Sequence, residues 1–84
     1  MTPALTLLGK PDCHLCDEMH EIVLRVLAGR VPVIKKDIRQ DPELDRRFRF
    51  EIPLLLLGDM EIARHRVTEV QLRDRLARLG ILQQ

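Results

Sequence analysis

Before Ile38 the chain places a strand-length apolar run, an amphipathic helix and a second apolar run in succession. That order leaves few folds open. Leu5-Thr6-Leu7-Leu8 is ended by Gly9 and Pro11 and reads as a buried strand. A helix from about Cys13 to Ala28 follows, because Leu15, Met19, Ile22, Val23, Val26 and Leu27 trace one helical face. Asp17 and Glu18 fall in its first turn, where the helix dipole favours negative charge, and Gly29 follows its end. Val31-Pro32-Val33-Ile34 starts a second strand running towards Ile38, with Pro32 marking a strand start or an edge. Strand, helix and strand in that order make a right-handed crossover between parallel strands.

The second half supplies the rest of the sheet. Asp41 is a helix N-cap with Pro42 at the first helical position, opening a short helix through Leu44 to about Phe48. Pro53 precedes Leu54-Leu55-Leu56-Leu57, a strand expected to be buried on both faces. Gly58-Asp59 turns the chain into a fourth strand, about Glu61 to His65, and so short a connection makes the pair an antiparallel hairpin. In the last helix Thr68 is the N-cap and Gln71 completes a capping box, while Val67 and Leu72 form a hydrophobic staple. Leu72, Leu76 and Leu79 then share one face, and Gly80 ends the helix. The order is βαβ, α, ββ, α. It implies one α/β domain over residues 1–84, four strands with helices on both faces.

Composition removes whole classes of function. There is no serine, so serine-nucleophile hydrolysis is excluded, and no asparagine, so N-linked glycosylation is too. Without Trp or Tyr, Phe48 and Phe50 cannot form the aromatic platforms on which single-stranded nucleic acid stacks. Fourteen basic against thirteen acidic side chains give a net charge of +1, no footprint for nucleic acid or an anionic membrane. The longest apolar runs are far shorter than the about 20 residues of a membrane span. Met1-Thr2-Pro3-Ala4 has no charged region followed by a long apolar run and is not read as a signal peptide. A cytoplasmic protein is expected, with no nucleic-acid or membrane partner.

Cys13-His14-Leu15-Cys16 sits at a strand-to-helix junction within a βαβ unit, the setting in which a Cys-x-x-Cys reads as a redox dithiol. The first turn of a helix has unpartnered N–H groups and about half a positive charge at its end, so a sulfur there is favoured as thiolate. Cys13 occupies that place and is the expected attacking thiol. Cys16, nearly a turn further on, is expected to be more buried and to resolve the mixed disulfide. A disulfide between them closes too small a loop to act as a staple. Half of a zinc site is the competing reading, which needs two more ligands from His14, His20, His65 or a carboxylate. His14 either favours the thiolate when protonated or is an exposed spacer; Asp12 opposes the thiolate, and Lys10 opposes Asp12. His20 and His65 read as surface residues. Pro53 either starts a strand or makes a cis bond with Ile52, exposing the Ile52 backbone to an extended disulfide substrate.

With Lys10-Pro11-Asp12-Cys13-His14-Leu15-Cys16 before the first helix and Ile52-Pro53-Leu54-Leu55 before the hairpin, nearly the whole chain resembles the glutaredoxin branch of the thioredoxin fold. It looks closest to small bacterial glutaredoxin-like proteins. The resemblance implies a mixed sheet of order 2-1-3-4, Cys13 as nucleophile, Cys16 as resolving thiol and Pro53 as cis-proline. It places Lys10 where a lysine stabilises the thiolate and binds the glycine carboxylate of glutathione. Three departures stand out: His14-Leu15 between the cysteines instead of Pro-Tyr, Glu51-Ile52 instead of Thr-Val before Pro53, and no Gly-Gly in Ile62–Thr68. Glu51 would repel anionic glutathione, whereas Thr68 would still offer helix N-terminal N–H groups to a carboxylate. The implied function is a thiol–disulfide oxidoreductase acting on protein or glutathione mixed disulfides. It needs no bound cofactor or metal, has glutathione or a reductase as electron donor, and is expected to be monomeric. The alternatives are an adaptor docking an acidic partner through Arg46, Arg47 and Arg49, or a carrier of zinc or a shared iron–sulfur cluster on Cys13 and Cys16.

Overall fold

In the computed structural model, which describes residues 4–82, Leu5–Gly9 (β1) lies inside a four-stranded sheet. Met1-Thr2-Pro3, part of the stretch that argues against a signal peptide, lie outside the described residues. β1 pairs in parallel with Val33–Asp37 (β2) and antiparallel with Leu54–Leu57 (β3), and β3 pairs antiparallel with Met60–Arg64 (β4). The order is β2-β1-β3-β4, as the resemblance implied. His14–Leu27 (α1) makes the crossover, a 3₁₀ turn over Ile38–Gln40 leads into Pro42–Phe48 (α2), and Glu69–Arg78 (α3) follows the hairpin. Among the described residues no helix is long and apolar enough to cross a membrane.

Side chains alternate across a strand, so neighbouring leucines serve opposite faces. Leu5, Leu7 and Leu55 pack with Met19, Val23 and Val26 of α1 and Leu72 and Leu76 of α3. Leu8 and Leu54 pack with Ile38 on the other face, against Leu44 and Phe48 of α2 and Ile52. The four-leucine strand is fully buried only at Leu54 and Leu55; Leu56 and Leu57 approach the hairpin and are half-buried. In β4 the register skips Ile62, a bulge that lets the consecutive Ile62 and Ala63 both enter one core cluster.

The expected caps form. Asp41 Oδ1 accepts the N–H of Glu43 and Leu44, and Thr68 and Gln71 exchange side-chain and backbone bonds of 3.0 Å. The boundaries move where an apolar residue is buried without being strand. Val31 is buried before β2, which begins at Val33, and Ile38 is buried in the 3₁₀ turn. β4 runs one residue earlier than expected, because His65 leaves it with φ 64°. Cys13 caps α1 from outside, and Ala28 as well as Gly29 takes a positive φ at its far end. Leu79 lies outside α3 and is 40% exposed, contrary to its place on the expected apolar face. Gly80 (φ 75°) turns the chain in a Schellman motif, Gly80 N–H to Ala77 and Ile81 N–H to Leu76, and Leu82 enters the core instead.

Candidate active site

The register gathers one end of the sheet. Gly9 is opposite Asp37, Leu8 is opposite Leu54, and Leu54 is opposite Arg64, so Gly9, Pro53 and His65 come to the same end as the cysteines. From Gly9 the chain reverses through Asp12, whose φ is 60°, into the extended Cys13. Cys13 is the N-cap of α1, its Sγ accepting the Cys16 N–H at 3.2 Å. An N–H aimed at this sulfur, at the positive end of a 14-residue helix, favours negative charge on it. Cys13 and Cys16 are joined as a disulfide with a Cα–Cα separation of 5.2 Å. Cys13 is half-buried and Cys16 only 6% exposed, the asymmetry expected of an attacking and a resolving thiol.

Gly9 is there because Cys16 needs the space. A Cβ on Gly9 would stand 3.1 Å from Cys16 Sγ and 3.2 Å from its Cβ. Gly9→Ala is therefore expected to destabilise by about 1–3 kcal/mol through overpacking. The oxidised form should lose more, since its sulfur is tied to Cys13 and cannot rotate away. Thermal melts of both redox forms read this, and unchanged melting in both would remove any role for Gly9 in seating Cys16.

Across the sheet end, the Ile52–Pro53 peptide bond is cis. Ile52 is half-buried against the Leu8–Ile38–Leu54 cluster, and buried Pro53 accepts the His65 N–H at 2.8 Å. The Glu51 carboxylate, an expected source of repulsion, is paired with Arg64, which also pairs with Glu61. All three lysines of the chain line one groove of about 390 Å³ with Gly9, Cys16 and Asp17. They are Lys10, Lys35 and Lys36. Asp37 also lines it, but Arg39 hydrogen-bonds this carboxyl and holds it below its usual range. One turn below Cys16, burial and then Lys35 hold the His20 imidazole below its ordinary 6.5.

Among the expected site residues, Lys10 thus shares a groove with Cys16. His14 is exposed, with Nε2 3.9 Å from Glu18 Oε2 on its own helix. Thr68 lines a second groove, of about 240 Å³ between α1 and the start of α3, which takes in Leu15 from between the cysteines together with His65 and Arg66. Its hydroxyl is committed to the Gln71 N–H. Among the described residues no third His, Cys, Asp or Glu joins the cysteines in a group able to hold a metal ion. Sequence reasoning missed Lys35, Lys36, Arg64 and the role of Gly9, and named His65 only as a surface residue or a possible zinc ligand. Only Gly9 had a local signal, a glycine closing an apolar run four residues before Cys13.

Residues 4–77 match the model of the glutaredoxin-like domain family (DUF836). Among solved structures, the chain is similar to protein XcR50 from X. campestris, with 28% identity and a TM-score of 0.76 over 88% of this chain and 96% of that one. Protein Ne2328 from Nitrosomonas europaea is 27% identical with a TM-score of 0.65, over 80% and 82% of the two chains. Thioredoxin 1 from Thermosipho africanus, at 14% identity, shares the fold with a TM-score of 0.66 over 92% and 93%.

Proposed function

Because the chain belongs to the glutaredoxin-like domain family, we propose that it is a thiol–disulfide oxidoreductase reducing protein or glutathione mixed disulfides with Cys13 and Cys16. The observation that carries this reading is the Cys13 sulfur capping α1, where a helix end and an N–H favour the thiolate. The Cys13 thiolate attacks one sulfur of a substrate disulfide, forms a mixed disulfide and expels the first thiolate. Cys16 then loses its proton and attacks Cys13 Sγ, which expels the second substrate thiolate. Two electrons pass to the substrate, and the protein is left with the Cys13–Cys16 bond. Two equivalents of a small thiol such as glutathione, or a dithiol reductase, return it to the dithiol.

In this scheme the protein works as a monomer and no bound cofactor is required, since sulfur carries the electrons. Lys10, with Lys35 and Lys36 beside it, attracts a substrate bearing carboxylates. The Ile52 backbone and the N–H groups after Thr68 are the remaining candidate contacts, and protonated His14 would favour the thiolate.

Comparison of wild type with Cys16→Ser on two substrates tests the scheme. The variant is expected to keep reducing a glutathione mixed disulfide, which needs only Cys13, and to lose reduction of a protein disulfide, which needs the resolving thiol. Wild-type protein inactive on both, with Cys13 alkylating like a free thiol of pKa about 8.5, would leave the adaptor reading in its place.

A further inference from the structure

We propose that His65 is a positioning residue that holds the Phe50–Pro53 loop closed and thereby sets how the Ile52 backbone meets an incoming polypeptide disulfide, an inference resting on the redox reading above. His65 grips the loop on both sides of Ile52. Its backbone N–H donates to the Pro53 carbonyl at 2.8 Å, and its ring Nε2 lies 3.0 Å from the Phe50 carbonyl. A carbonyl only accepts, so Nε2 carries the proton in this contact. Glu51, between the two gripped carbonyls, is held by its own N–H to Phe48 at 2.8 Å and by its side chain to Arg64, the residue before His65.

Apolar burial does not hold this loop at its first gripped residue. The Phe50 side chain is 82% exposed, and Glu51 is fixed through polar ties. His65 itself has a φ of 64°, a conformation that non-glycine residues seldom adopt. Arg66 N–H donates to the Arg64 carbonyl at 2.7 Å, which keeps the chain tightly turned around His65 and aims the ring back at Phe50. A chain that pairs its backbone with Ile52 binds more tightly when that loop is already ordered, because it does not pay for ordering on contact. A loose loop therefore weakens binding of substrate and transition state alike, which raises KM and spares kcat.

His65→Gly removes the ring while keeping a residue at ease with positive φ. His65→Gln restores an N–H donor of similar reach. Amide exchange of Glu51, whose N–H bond to Phe48 opens with the loop, is read in all three oxidised proteins, together with steady-state reduction of a peptide disulfide. Loss of one such hydrogen bond corresponds to a change of about three- to tenfold. His65→Gly is expected to speed Glu51 exchange by about that factor and to raise KM similarly, with kcat within about twofold. His65→Gln should recover most of both. Unchanged exchange in His65→Gly overturns the proposal, as does a fall in kcat at constant KM. Wild-type protein that reduces no disulfide sinks the redox reading and the substrate role with it; Glu51 exchange then still decides whether His65 holds the loop.

Discussion

Cys13→Ser should bring disulfide reduction down to the uncatalysed background on every substrate while leaving the fold intact. The two halves of this expectation have separate causes. A serine oxygen cannot form the mixed disulfide through which exchange proceeds, and Cys16, at 6% exposure, is badly placed to replace Cys13 as first attacker. Yet Cys13 also caps α1 by accepting the Cys16 N–H at 3.2 Å. Serine is among the best N-cap residues, and its oxygen suits that bond at least as well as sulfur does. At acid pH, where the wild-type thiol is protonated and the charge of the thiolate contributes nothing, the reduced variant should therefore melt at or above the temperature of reduced wild type. The disulfide is absent from both, so the comparison at that pH isolates the cap. A Cys13→Ser protein that still turned over, with activity lost on also replacing Cys16, would reverse the two thiol roles. A variant that was inactive because it had unfolded would show that the cap depends on sulfur in a way the geometry does not suggest.

The parts of this molecule that were legible in the sequence are those set by neighbours along the chain. Apolar spacing marked the first and last helices, the Asp41–Pro42 cap marked the short one between them, and the Thr68–Gln71 capping box located the start of the last. Cys13 and Cys16 were equally legible, because a dithiol needs only three residues and a helix end. What failed was burial supplied from a distance. Val31 and Ile38 looked like strand because they are apolar and adjoin one, but the core reaches them outside it. His65 looked like an exposed hairpin residue, and it is exposed. Its importance comes from Phe50 and Pro53, 15 and 12 positions earlier, which meet it only once β3 and β4 are in register. The lysines were invisible for the same reason: Lys35 and Lys36 reach the groove at Cys16 only through the pairing of β2 with β1. Glu51 is a bare negative charge along the chain, and its partner Arg64, 13 positions later on β4, meets it only in the folded sheet.

Leu76→Ala and Leu79→Ala should differ sharply although the two residues share an apolar stripe in the sequence. Leu76 is 0% exposed in the cluster that joins α1, α3 and the sheet. Truncating it removes buried methyl groups and leaves a cavity that close-packed neighbours fill only in part, which costs about 2–5 kcal/mol. Domains of this kind are stable by only about 5–15 kcal/mol in total, so the loss is a large share of the whole. At this size it corresponds to a melting temperature lower by roughly 10–30 °C. Leu79 lies past the end of α3 at 40% exposure, and Leu82 has entered the core after the Gly80 turn. Leu79→Ala should cost under about 1 kcal/mol, and Leu82→Ala should cost more than Leu79→Ala despite lying nearer the chain end. Urea denaturation of the three variants checks the order Leu76, Leu82, Leu79. Equal losses at Leu76 and Leu79 would mean that the helical stripe, not the Schellman turn, sets what the core receives. The turn offers a reason to expect otherwise: once Gly80 reverses the chain, the Leu76 carbonyl accepts both the Ile81 and Leu82 N–H groups, at 2.9 and 3.3 Å, and Leu82 joins the buried cluster that holds Leu76 while Leu79 stays at its edge.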